Sequence, residues 1–413
     1  MSTTTSAAVA AAVADAHRRE WAFVLAATVR VTRDLDLAEE CVQDAYARAL
    51  TSWSTDGVPT RPAGWLTTVA RRRALDLLRR ETVLRRSLPL LVEDAVEPSH
   101  DVFDDDIPDD RLRLICTCCH PALAPEAQVA LTLRLLCGLT TAEVARAFLV
   151  SEPTMAARIT RAKKKIATAR IPYRVPPAAE LPERIDAVLT VVHLLFTTGH
   201  AAPAGADLVR RDLVERALDL ARMLRSLLPG DPDVAGLLAL ILLTDARRAT
   251  RVGVDGRLLL LEEQDRGQWD RTAIAEGAAL VREALRRRPP GRFALQSAIA
   301  AVHAEAARWE DTDWREVVAL YDVLAQVWPS PVVALNRAAA IGMADGPAAG
   351  LAAVDALRDE PQLAGYSYTA AVRADFLRRL GRYDEARTSY EEALLLTENE
   401  VERDFLSGRL AEL

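Results

Sequence analysis

Aromatic side chains make up only 5% of the 413 residues, and cysteine occurs five times. No stretch runs for about 18 uncharged apolar residues, so no segment reads as a membrane span. The N-terminus, MSTTTSAAVAAAVADA, has neither a basic start nor a long apolar core. It is a poor signal peptide, and a cytoplasmic location is expected. An odd number of cysteines without a secretory signal argues against a disulfide framework. Ala, Leu and Arg are what the chain has in quantity. Half of the residues are hydrophobic, enough for two to four domains to bury cores, and the composition predicts mainly helix.

The net charge of −7 conceals an asymmetry. Residues 60–86 carry eight Arg against Asp76 and Glu81, and residues 151–174 carry seven Arg or Lys against Glu152. Residues 93–110 carry nine acids and no Lys or Arg. Two compact basic patches in an otherwise acidic chain suit phosphate backbones while limiting indiscriminate binding.

Four segments follow. Residues 15–82 read as a helical domain, and 83–110, with Pro89, Pro98, Pro108 and the acidic run DVFDDDIPDD, as a linker too polar to fold alone. Residues 111–170 read as a second small helical domain. IPYRVPP (171–177) breaks the helical pattern and marks a boundary. Residues 178–413 read as Ala/Leu-rich helical hairpins. There ARTSYEEAL (386–394) aligns with AGLAAVDAL (349–357), a spacing that stacked two-helix repeats give. In FLRRLGRYDEARTSYEEAL (376–394), Gly381 permits a turn and Ala386, Tyr390 and Ala393 share a face. This unit resembles a tetratricopeptide repeat.

Residues 125–168 predict three helices. Pro125 suits a first helical turn. Thr140 and Glu143 have capping-box spacing, which predicts a helix to about Phe148, and Ser151 caps a third. In that third helix Met155, Ile159, Ala162 and Ile166 form an apolar face, while Thr154, Arg158, Arg161 and Lys165 lie on another. A short helix, a tight turn and a basic second helix make a helix-turn-helix whose second helix enters the major groove. Arg158 is the candidate for a bidentate contact to guanine. Lys163, Lys164 and Lys165 are candidates for phosphates.

RPAGWLTTVARRRALDLLRRE (61–81) predicts a second nucleic-acid surface. Trp65, Val69 and Leu75 are expected to pack inward, leaving Arg71, Arg72, Arg73, Arg79 and Arg80 as a positive surface with Arg61 at its start. An aromatic beside a basic helix and a flexible loop, WSTDGVPTRP (53–62), suits a strand with unstacked bases. Upstream, DLDLAEECVQDAYARAL (34–50) puts Leu37, Cys41 and Ala45 on one face and leaves Glu40, Gln43 and Asp44 polar.

LAEECVQDAYARAL, WLTTVARRRALDLLRR and the helix-turn-helix ending in ARITRAKKKI occur in this order over residues 15–170. Together they resemble the extracytoplasmic-function (ECF) sigma factors, bacterial proteins that direct RNA polymerase to promoters. The tail from 178 resembles the subgroup with a long tetratricopeptide-like extension. The resemblance implies an all-α fold: sigma region 2, sigma region 4 with its helix-turn-helix, then an α-solenoid of helical hairpins. It implies core RNA polymerase as partner, through the beta-prime clamp helices and the beta flap, and promoter DNA. It assigns Glu40, Gln43 and Asp44 to the clamp helices, and Trp53 with the following loop to a flipped base of the −10 element. Trp65 and Arg71 to Arg73 go to the −10 strand; Thr154, Arg158 and Arg161 go to the −35 element. Many family members have Asn where this chain has Arg72. An Asn both donates and accepts, whereas Arg only donates, so the −10 preference is expected to differ.

Binding energy suffices for this work; no catalytic residue and no cofactor is expected. Other features keep two readings. Cys116, Cys118, Cys119 and His120 form C-x-C-C-H, read as core cysteines or as a metal or redox switch, with no metal site assigned. The acidic linker is a solvated tether or lies in the polymerase's basic channels. VDGRLLLLEEQDRGQWDRTAIAEG (254–277) gathers Asp255, Arg257, Glu262, Gln264, Asp265, Arg266 and Trp269. These form either a groove for a regulatory protein or small ligand, or a charged inter-helix face with a packed Trp. The alternative for the whole chain is a helix-turn-helix regulator with a sensor domain that is not a sigma factor; it leaves residues 61–86 unexplained.

Overall fold

The computed structural model describes residues 2–87, 110–148, 150–177 and 179–413. The described residues include eighteen α-helices and two very short strands and group into two compact units, one ending at Val191 and one beginning at Val192. The acidic linker falls almost entirely outside the described residues.

The first unit opens with three helices: α1 (Ser2–Thr32), α2 (Leu35–Asp56) and α3 (Pro62–Ser87). They pack through small residues. Ala38, Cys41, Ala45 and Ala49 of α2 and Ala70 and Ala74 of α3 are fully buried, with Val24, Leu25 and Ala26 of α1. Next come α4 (Asp110–Cys118) and α5 (Pro125–Leu131), which passes into a π-helical turn over Thr132–Leu136. Then α6 (Thr141–Ala147) and α7 (Glu152–Thr168) form the helix-turn-helix. Its capping box is formed in full by Thr140 and Glu143, and Ser151 caps α7. Met155, Ile159, Ala162 and Ile166 are buried, as their spacing predicts.

The segments 15–82 and 111–170 are not independent bodies. The Trp21 indole N–H on α1 donates to the carbonyl of Leu135, 3.0 Å away. Gly138, with φ +68°, lies so near that a Cβ there would stand 2.9 Å from the His17 and Trp21 rings, so only glycine fits. The proline-rich stretch 171–177 does not end the unit. Tyr173 donates to Ala26 O at 2.9 Å and lies 3.3 Å from Asp110 O. Farther on, Arg184 donates to Cys116 O at 2.9 Å. These contacts carry the first unit into α8 (Leu181–His200).

The second unit continues with α9 (Arg211–Leu227), α10 (Pro232–Asp245), α11 (Arg271–Ala284), α12 (Arg292–Glu305), α13 (Trp314–Val327) and α14 (Pro331–Ala344). It ends with α15 (Pro347–Asp355), α16 (Ser367–Arg379), α17 (Tyr383–Leu396) and α18 (Glu400–Ala411). Every residue of α10 from Val234 to Leu243 is buried, as expected of a helix apolar on all sides. Gly381 turns the chain with φ +72°, and Ala386, Tyr390 and Ala393 are buried as predicted. The array also closes on itself: Ala204–Gly205 (β1) pairs in parallel with Glu398–Asn399 (β2). The Asn399 amide donates to Ala202 O and Asp207 O, both at 3.0 Å.

Candidate nucleic-acid interface

On α2, Glu40 and Gln43 are exposed and Asp44 is half-buried. Arg73, expected on the basic surface of α3, turns instead to this acidic face. Its Nε lies 2.9 Å from Asp44 and its Nη2 4.0 Å from Glu40. Arg73 is thus paired with the α2 carboxylates, while its neighbours Arg71 and Arg72 are exposed.

Glu39, on the other side of α2, is only 5% exposed. It meets two cations from the helix-turn-helix half: Arg134 at 2.9 Å, and Lys163, which also binds Asp36 at 2.6 Å. Burial works against the Lys163 ammonium, but Glu39 and Asp36 outweigh it and raise its pKa. Lys163 is thus engaged within the unit, whereas Lys164 and Lys165, the other candidates for phosphates, are exposed. The sequence reading passed over Asp36, Glu39 and Arg134. One signal was available: the only three lysines of the chain are consecutive, 163–165.

Along α3, Arg61, Arg71, Arg72, Arg79 and Arg80 are exposed and Trp65 is half-buried. Leu66, Ala70 and Ala74 form the buried stripe. Leu75, expected to pack inward, is 43% exposed, because it lies off that stripe on the helix. Trp53 is 2% exposed and packs edge-on to Trp65 with centroids 5.7 Å apart. It therefore supports Trp65 from below and does not present a stacking face. Trp53→Ala is expected to destabilise the unit by ~3–5 kcal/mol, seen as a lower Tm. An unchanged Tm would mean that Trp53 is not a core residue.

On α7, Thr154, Arg161, Lys164 and Lys165 are exposed. Arg158 is half-buried, its guanidinium 5.5 Å from the Phe148 ring centroid. An aromatic rest of this kind holds a guanidinium in place at little cost.

Cys116, Cys118 and Cys119 are buried. Burial pushes the Cys116 and Cys119 thiols up to about 12 and Cys118 well above its ordinary value. The His120 Nδ1 accepts from the Ala122 N–H at 3.1 Å. Among the described residues no three His, Cys, Asp or Glu are placed to hold a metal ion. The thiolate is the nucleophile, so iodoacetamide should label the native protein at least ~100-fold more slowly than the denatured one. Labelling at equal rates, followed by mass spectrometry, would contradict the core assignment.

In the second unit the loop residues divide. Asp255, Arg257, Glu262 and Asp265 are exposed, but Gln264, Arg266 and Trp269 are buried and do not line a surface groove. Trp269 Nε1–H donates to Thr250 Oγ1 at 2.9 Å, and the Gln264 amide N–H donates to Leu259 O at 3.0 Å. They hold the loop to the turn after α10.

Residues 17–83 match the family model for sigma-70 region 2, and residues 114–166 that for sigma-70 region 4. Residues 184–285 match a family of unknown function, DUF6596. An uncharacterized protein of Rhizobium meliloti, R00370, is 42% identical over 94% of this chain and 93% of its own length. A Mycobacterium tuberculosis protein described as a probable ECF RNA polymerase sigma factor, SigI, is 30% identical over 40% of this chain and 58% of its own. No solved structure matches the chain. Among the described residues no helix is long and apolar enough to cross a membrane.

Proposed function

The chain belongs to the ECF type of sigma factor and carries a C-terminal extension, and from that premise we propose how its two halves engage polymerase and promoter. The exposed Glu40 and Gln43 of α2, with Asp44, dock on the beta-prime clamp helices. The exposed arginines and Trp65 of α3 hold the opened −10 strand. Arg158 and Arg161 of α7, with Thr154, read the −35 element, while Lys164 and Lys165 grip phosphates and the same half meets the beta flap. The tetratricopeptide-like extension modulates these contacts. The observation that carries the reading is the adjacency of an acidic face on α2 and an arginine face on α3, joined through Arg73. A helix-turn-helix regulator needs no such pair.

The same reading requires the first unit to open. The −35 and −10 elements are named for positions about 25 base pairs apart, roughly 85 Å at ~3.4 Å per base pair. Here Lys163 of the −35 reader touches α2 directly. The 22 residues between Ser87 and Asp110 can reach up to about 75 Å, and the two halves supply the rest. Binding both elements on core polymerase therefore breaks the Trp21–Leu135 bond and frees Glu39, Arg134 and Lys163. Buried ion pairs suit such a joint, since the cost of desolvating the charges offsets much of their attraction.

Run-off transcription tests the proposal. Core polymerase free of other sigma factors, given this chain, is expected to yield a discrete transcript from a mapped promoter. A transcript that appears only when another sigma factor is added would favour the regulator reading instead.

A further inference from the structure

The negative charge of the chain resides in its second unit. Residues 192–413 carry 27 Arg and no Lys against 34 Asp and Glu, whereas residues 1–191 balance at 25 of each sign. One stretch runs the other way: residues 282–292, REALRRRPPGR, carry five Arg against Glu283 alone. Arg282 stands in the last turn of α11, and Arg286, Arg287 and Arg288 follow the end of that helix at Ala284. All four are exposed.

The acids around them are already matched. Arg225 of α9 reaches Glu283 at 2.8 Å, Arg222 reaches Glu276 at 3.1 Å, and Arg287 pairs with Asp233 at the start of α10. These pairs bring the arginines of α9 beside those of α11 on one surface. Among the described residues, the guanidinium groups of Arg282, Arg286 and Arg288 make no hydrogen bond or ion pair. A cation does favour a helix C-terminus, but that effect is confined to the last turn. It accounts for Arg282 and not for the arginines beyond Ala284.

Clustered guanidinium groups without counter-charges suit a row of phosphates, which they meet bidentately. The acidity of the rest of the unit confines a polyanion to this one surface. We propose that Arg282, Arg286 and Arg288 form a further DNA contact, gripping backbone phosphates of the promoter outside the −10 and −35 elements. The proposal rests on the sigma reading, since α3 and α7 bring the DNA. Such a contact carries no base information; it adds affinity and salt dependence.

Holoenzyme assembled from core polymerase and the full chain, titrated onto a promoter fragment at several salt concentrations, tests this. Replacing the three arginines together (Arg282→Ser, Arg286→Ser, Arg288→Ser) should lower the slope of log affinity against log salt by ~2–3, at ~0.9 for each phosphate contact. Lysine at the same three positions should preserve the slope, because it keeps the charge. Hydroxyl-radical footprints should show backbone protection beyond the two elements with the wild type and lose it with the serine variant. An unchanged slope and footprint, with the −35 element protected by both proteins, would overturn the proposal and leave the sigma reading standing. A weaker complex with an unchanged footprint would place the arginines on an acidic surface of the polymerase, which equally overturns it.

Discussion

Glu39→Lys is expected to open the first unit and to tighten its binding to core polymerase. The substitution leaves Arg134, Lys163 and a new cation facing Asp36 alone, in a contact where Glu39 is buried. Removing one partner of a buried ion pair costs ~3–5 kcal/mol, and here that cost falls on the closed form. A protein that must open before it binds has its apparent affinity reduced by the fraction already open. The variant should therefore bind core polymerase at least ~10-fold more tightly. Carbodiimide, which joins amines to carboxylates in contact, gives an independent readout, because the chain has only three lysines. Wild-type protein should yield a cross-link from Lys163 to residues 36–39, and Glu39→Lys should lose it. Adding Lys163→Glu reverses both charges and should return core affinity toward the wild type. Weaker core binding that the reversal fails to restore would mean that Glu39 itself touches polymerase, contrary to the closed-form account.

Arg158→Ala should lower affinity for −35 duplex ~5–150-fold, the equivalent of ~1–3 kcal/mol for a lost bidentate base contact. The loss should be confined to one base pair, with binding to scrambled duplex little changed. Lys164→Ala and Lys165→Ala should behave differently. Each removes a phosphate contact, weakens all sequences alike and lowers the slope of log affinity against log salt by about 1. A quantitative titration at several salt concentrations distinguishes the two. Equal losses for Arg158→Ala on specific and scrambled DNA would move Arg158 from the reading group to the phosphate group.

What the sequence made legible was local. The capping box of Thr140 and Glu143, the Ser151 cap and the apolar face of α7 depend on residues within one or two turns, and all are present. The repeat unit around Gly381 is equally local. What misled was orientation set by distant partners. Arg73 leaves the basic face for Asp44, 29 residues away, and Lys163 leaves the phosphate-gripping face for Asp36, 127 residues away. Trp53, assigned by resemblance with the following loop to a flipped base, is 2% exposed and packs against Trp65 of the next helix. Of the two readings kept for the 254–277 loop, Gln264, Arg266 and Trp269 follow the packed one and bond inward to Leu259, His303 and Thr250. The pairing of residues 204–205 with 398–399 has no periodic signature at all.

The central claim is that this chain supplies core polymerase with promoter opening. Permanganate footprinting tests it most directly, because permanganate oxidises thymines only where they are unstacked. Core enzyme lacking any other sigma factor, mixed with the full chain and promoter DNA, is expected to show reactive thymines in the −10 region. Arg71→Ala with Arg72→Ala should diminish that reactivity while protection at −35 persists. Protection at −35 with no reactive thymines, or reactivity that requires a second sigma factor, would contradict the account.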